Sequence, residues 1–152
     1  MIEIALYQPD IAPNAGTMLR MAACLGLTVR LIEPAGFLWD DSSFRRAGLD
    51  YLDRAKIVRH ASWAAFRAET EGTRLILLTT KASRSYCDFA FAGHDLLLMG
   101  RETSGVPPEV HDAADARLTI PLVSGNRSLN VAVACAMVTG EALRQTNGFP
   151  RR

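Results

Sequence analysis

Apolar residues in this chain fall in short continuous runs, and the segments between those runs carry helical spacing. The first run, IEIALYQ at 2–8, stops at Pro9 and predicts a buried strand. In PNAGTMLRMAACLG the apolar positions Met18, Leu19, Ala22 and Leu25 recur at helical intervals, with Asn14 as the expected N-cap and Gly26 as the stop. Further strands are expected at TVRLIEP (28–34), KIVRH (56–60), RLILLTT (74–80), DLLLMG (95–100) and ARLTIPL (116–122). The segment 36–56 reads as an irregular charged connection with a short helix near Ser43 to Ala47. SWAAFRAETEG (62–72) predicts an amphipathic helix capped by Ser62 and ended by Gly72. A last helix is expected from about Ser128 to Gln145, with Ser128 as its cap, Asn130 in its first turn and apolar or small residues all round from Leu129 to Val138.

Strands that are apolar throughout, alternating with helices, predict a mostly parallel sheet with helices on both faces, an α/β fold. Such a sheet binds ligands outside the carboxyl ends of its strands. Four loops lie there: YQPDIAPN, TTKASRS, GRETSGVP and PLVSGNRSLN.

Composition narrows the class. The 152 residues fit one domain, 1–152, with a sizeable core, and 49% hydrophobic with 22% charged residues excludes a disordered or disulfide-stapled chain. A formal net charge of +1 means that any nucleic-acid binding must come from a local basic patch. Cys24, Cys87 and Cys135 form no C-x-x-C pair, so they read as reduced, buried thiols with no metal site. The start MIEIALYQPD carries no basic-then-apolar signal, and no run of about 18 apolar residues occurs, so a cytoplasmic protein without a membrane span is expected.

Three stretches carry candidate chemistry. In PNAGTMLR, Asn14 and Gly16 stand at a helix start, where free N–H groups attract anions, and Arg20 shares a face with Thr17. In LLLMGRETSGVP, Gly100 permits close backbone approach and Glu102 places a carboxylate at the sheet edge. In SGNRSLNVAVACAM, an amide at Asn130 inside a buried helix needs a partner, because an unpaired one costs about 1–3 kcal/mol. Structural readings compete with each: a capped helix with a surface arginine, a solvated loop with an Arg–Glu pair, and an asparagine that pins the fold. No G-x-G-x-x-G, P-loop or G-x-S-x-G element is present, and neither His60, His94 nor His111 has an evident acid partner beside Ser128.

Taken together, N-x-G-x-x-x-R at 14–20, G-R-E-x-x-G-V-P at 100–107 and I-P-L…S-L-N-V-A-V-A at 120–134 resemble the three motifs of the SPOUT class of RNA methyltransferases. Order, spacing and length are most similar to its small TrmL subgroup, which methylates the 2′-hydroxyl of the wobble cytidine or uridine of tRNA. IALYQPDIAPNAGTMLR, IEPAGFLWDD, RRAGLDY and LTTK extend the likeness along the chain. Arg101 departs from it, standing where relatives carry Pro and adding a charge. The resemblance implies a C-terminal deep trefoil knot and S-adenosylmethionine bound in a bent form. It also implies a homodimer with residues of both subunits in each site, and the tRNA anticodon stem-loop as partner. Carried over by motif, Leu78, Gly100, Ile120, Ser128 and Leu129 would hold the cofactor, and Asn14, Arg20, Glu102, Ser128 and Asn130 would form the catalytic set. No metal is implied. Phosphate contacts are expected from Arg45, Arg46, Arg54, Lys56, Arg59 and Arg84. Two rivals stand beside this reading: 2′-O-methylation of another RNA such as rRNA, and a catalytically silent knotted RNA-binding factor.

Overall fold

The computed structural model describes residues 1–38 and 42–152, so part of the charged connection, at 39–41, lies outside the described residues. Six strands form one sheet: β1 (Glu3–Tyr7), β2 (Thr28–Ile32), β3 (Lys56–His60), β4 (Leu75–Leu78), β5 (Leu96–Met99) and β6 (Ala116–Leu118). Their order is β3-β2-β1-β5-β4-β6, and every pairing is parallel. Five α-helices connect or flank them: α1 (Ala12–Leu25), α2 (Ser42–Gly48), α3 (Trp63–Glu69), α4 (Pro108–Ala113) and α5 (Val131–Thr146). A 3-10 turn, Leu49–Arg54, follows α2.

The unbroken apolar runs are explained by burial on both faces. On β1, Ile4 and Leu6 enter one core while Ala5 and Tyr7 enter the other; on β5, Leu97 and Met99 divide in the same way from Leu96 and Leu98. One core is closed by α1, α2 and α5 through Met18, Leu19, Phe44, Val138 and Leu143. The opposite core is closed by α3 and α4 through Phe66, Val110 and Ala114. Polar alternation would have put a polar side chain into one of these cores at every second residue.

Local signals held where the backbone alone decides. Gly26 ends α1 with φ +70°, and the following Leu27 N–H returns to the Ala22 carbonyl at 2.9 Å. Ser62 caps α3 by accepting from the Ala65 N–H at 3.1 Å. The cap of α1 is different from expectation. Ile11 occupies that position without a side-chain hydrogen bond, and Asn14 lies inside the first turn. Pro13 supplies the reason: it has no N–H to satisfy and its φ suits a helix start. The last strand stops at Leu118 because Thr119 turns to pair with the loop before it, donating to the Arg84 carbonyl at 2.8 Å and accepting from Tyr86 at 3.0 Å.

Two further expectations fail. Only Cys135 is buried; Cys24 and Cys87 are exposed, because Cys24 sits on the outer face of α1 with Thr17 and Arg20. Burial pushes the Cys135 thiol up to about 12. Nor is α5 buried all round. Ala132, Cys135, Val138, Ala142 and Leu143 face the core, while Val133 is 49% and Met137 39% exposed. Among the described residues, nothing covers that side of the helix. The short helix α4 is not legible in the sequence, because its six residues begin at Pro108, directly after Pro107, and show too little period to read.

Candidate active site

Strand parallelism sends the loops after β1, β4, β5 and β6 to the same edge, and there they surround a cavity of about 630 Å³. Its size suits a nucleoside-sized ligand. All five residues expected around a cofactor line it: Leu78, Gly100, Ile120, Ser128 and Leu129. Of the expected catalytic set, Asn14, Glu102, Ser128 and Asn130 line it as well. Arg20 does not. Its guanidinium lies 4.9 Å over the ring of Tyr51, on the outer side of α1, and Arg54 stacks on the same ring at 5.9 Å.

Asn130 has a different place from the one its sequence context predicts. It precedes α5 as the N-cap, with φ −51° and ψ 135°, and is exposed, whereas Ser128 belongs to the loop and caps nothing. The Asn130 Oδ1 accepts from the Ala132 N–H at 2.8 Å and the Val133 N–H at 3.3 Å. Those bonds determine which end of the amide is oxygen. The other end, Nδ2, donates to Oδ1 of Asn14 at 3.0 Å. The Asn14 amide is thereby oriented in turn, with its own NH2 left unbound beside the cavity. One cap thus ties the start of the last helix to the first turn of the first helix.

The loop after β5 is closed by a reciprocal pair of bonds, Arg101 N–H to Gly105 carbonyl and Gly105 N–H to Arg101 carbonyl, both 2.9 Å. A Cβ at Gly100 would stand 3.0 Å from the Gly105 carbonyl carbon and 3.1 Å from its Cα. The glycine is required by this tight return of the loop, in addition to any ligand. Glu102 turns toward Asp10, whose N–H donates to its Oε2 at 3.2 Å. Burial, and then the neighbouring Asp10 carboxyl, push the Glu102 carboxyl above the ordinary carboxylate range. Asp10 moves the opposite way, down to about 2, chiefly through its hydrogen bond with Glu102. Thr103 Oγ1 adds a bond to Asp10 Oδ2 at 2.5 Å. Asp10 and Thr103 were not singled out from sequence; the one available signal was an acid immediately after the Pro9 that ends β1.

The basic residues are unevenly available. Arg59 pairs with Glu33, and Arg84 stacks on Phe89 at 4.9 Å. Arg45, Arg46, Arg54 and Lys56 are exposed, the first two on α2. Among the described residues, no group of three or more His, Cys, Asp or Glu side chains could hold a metal ion.

The model of the SpoU rRNA Methylase family matches residues 1–140 of the chain. A protein of Ancylobacter novellus named tRNA (cytidine(34)-2'-O)-methyltransferase is 59% identical over 152 residues, covering 99% of this chain and 96% of that protein. A structure solved for insight into the 2-OH methylation of C/U34 on tRNA is similar with a TM-score of 0.93 at 40% identity, covering 97% of each chain. An AdoMet-bound rRNA methyltransferase from Sinorhizobium meliloti is similar with a TM-score of 0.84 at 26% identity, over 94% of this chain and 56% of that one.

The two jobs of Asn130 are separable by substitution. Asn130→Ala removes the cap and is expected to destabilise the fold by about 1 kcal/mol in thermal or denaturant unfolding. Asn130→Asp keeps an acceptor for Ala132 and Val133 and is expected to unfold near the parent, while forcing Asn14 to turn its amide over. Equal destabilisation by both would show that the cap is not what Asn130 contributes.

Proposed function

The chain belongs to the SpoU rRNA methylase family, and on that premise we propose that it methylates the 2′-hydroxyl of the wobble nucleotide, cytidine or uridine at position 34, of tRNA. S-adenosylmethionine is the methyl donor in this reading, supported by the family and by the AdoMet-bound relative. The observation that carries it is the convergence of all three motifs on one cavity at the carboxyl edge of the sheet. Among the described residues no helix is long and apolar enough to cross a membrane, and we place the enzyme in the cytoplasm with its RNA substrate.

The apolar Leu78, Ile120 and Leu129, with the backbone at Gly100 and Ser128, fit an adenosyl group and would hold the cofactor. When bound, that group supplies an electrophilic methyl on a sulfonium. The chain's own task is to align the ribose hydroxyl and stabilise it as it loses its proton. Alignment of this kind is worth up to about 7–11 kcal/mol. The oriented NH2 of Asn14 is a donor toward that oxygen, and its position depends on Asn130. Ser128, exposed in the loop before α5, offers a second hydroxyl contact. Arg20 is not the base, because a guanidinium keeps its proton in proteins. Its role is to bind the adjacent phosphate and the developing alkoxide through its fork.

Arg20 lies outside its own chain's cavity, so it serves this role in a homodimer, across to the other subunit's site. Support comes from α5, which lines the cavity with Val131 and Ala134 and also carries the exposed apolar Val133 and Met137. The family implies a deep trefoil knot in the C-terminal part of the chain. Arg45, Arg46, Arg54 and Lys56 form the basic surface for the anticodon stem-loop, where bases are free to splay.

Transfer of labelled methyl from S-adenosylmethionine to tRNA and to rRNA in parallel, followed by nuclease mapping, tests the function. Label at position 34 of tRNA is expected; label in rRNA alone, or none despite cofactor binding, favours the rival readings. Arg20→Lys is expected to lower kcat by about tenfold or more, since a point charge replaces the fork; full turnover with unchanged RNA affinity would refute bidentate positioning. Val133→Glu is expected to give monomers in sedimentation and to abolish turnover without unfolding the chain; an active monomer would end the shared-site reading.

A further inference from the structure

Among the described residues, Arg101 is the one arginine on the wall of the cavity. Its main chain is pinned at both ends by the two bonds to Gly105, yet its side chain is poorly held. Among those residues its guanidinium makes one bond, a long one from Nη2 to Asp10 Oδ2 at 3.4 Å. Its Nε is buried without a partner. Buried donors in settled structures are paired, so this arrangement of the fork is one that a ligand acceptor would improve on.

A structural ion pair with Asp10 is the competing account, and Asp10 itself argues against it. Its Oδ2 already has the Thr103 hydroxyl at 2.5 Å, much closer than the guanidinium. Its Oδ1 is buried without a partner among the described residues even with Arg101 in place. Releasing the guanidinium therefore removes only the long contact and leaves the Thr103 bond intact. Lys81 and His111 also line the cavity, but neither offers a fork.

We propose that Arg101 is the anion-binding residue of this cavity, its fork turning from Asp10 to take a pair of anionic oxygens of a reactant. Two sources present such oxygens in the methyl transfer on which this inference rests: the carboxylate at the amino-acid end of the methyl donor, and a phosphodiester beside the target ribose. Asp10 and Thr103 are then positioning residues, which park the fork when no anion is present.

The test compares the parent with Arg101→Gln and Arg101→Lys in direct binding. Three probes are used: S-adenosylhomocysteine, 5′-methylthioadenosine, which lacks the amino-acid end, and a tRNA anticodon stem-loop over a range of salt. If the carboxylate is the partner, Arg101→Gln binds S-adenosylhomocysteine about tenfold or more weakly, 5′-methylthioadenosine is unaffected, and Arg101→Lys falls between. If the phosphate is the partner, the RNA affinity falls instead and the slope of log K against log salt drops by about one. The proposal is overturned if a variant that melts with the parent binds all three probes as the parent does. It is equally overturned if 5′-methylthioadenosine weakens as much as S-adenosylhomocysteine while RNA binding holds. A parent protein that binds neither cofactor analogue nor RNA sinks the assigned function, and this inference with it.

Discussion

Parallel pairing of every strand is the constraint on which the rest of the molecule depends. A parallel neighbour cannot be reached by a tight turn, so the chain must cross over a face of the sheet between strands. Those crossings place α1, α2 and α5 on one face and α3 and α4 on the other, which is why the strands are apolar on both sides. They also deliver all strand ends of one polarity to one edge. With β1 central, the chain builds outward to β2 and β3 on one flank and to β5, β4 and β6 on the other. The cavity opens on the second flank, walled by the ends of β5, β4 and β6 and the loops after them, with Ile11 and Asn14 reaching it from beyond β1.

The site is then finished by a few polar bonds that join distant parts of the chain. The Asn130 amide spans 116 residues to reach Asn14, using its oxygen for the helix and its NH2 for the other side chain. The Asp10 backbone N–H reaches Glu102 across 92 residues because the register pairs Leu6 with Met99 and sets those loops side by side. Stability and site geometry share the same atoms in both cases. A substitution at Asn130 or Asp10 therefore acts on both, and only substitutions that preserve one function separate them.

Charge is distributed on the same plan. Arg74 forms an ion pair with the buried Asp95 at 2.6 Å, and Arg30 with Glu3, both at the far end of the strands from the cavity. Other cations are held by weaker means: Arg20 and Arg54 on an aromatic ring outside the cavity, and Arg101, on the cavity wall, by one long contact. Guanidinium groups without close carboxylate partners suit a polyanionic substrate, and a net charge of only +1 hides them.

The sequence by itself determined the fold class, the order of the strands and the longer helices, and which loops make the cavity. Runs such as Leu96–Met99 report burial on both faces, and Gly26 and Ser62 act through their own backbone neighbourhood, so both kinds of signal are local. It did not determine which polar residue caps α5. Ser128 and Asn130 are both good caps, and the choice depends on where the loop leaves the sheet edge. Arg20 likewise shares a motif with Asn14 but not a direction, since six residues along a helix turn the side chain to another face. Asp10, Thr103 and the state of Glu102 came only from tertiary structure, because their partners lie more than 90 residues away. The uncovered face of α5 belongs to the same class: an apolar residue reports that it avoids water, and only the packed chain decides which surface is left for something else to cover.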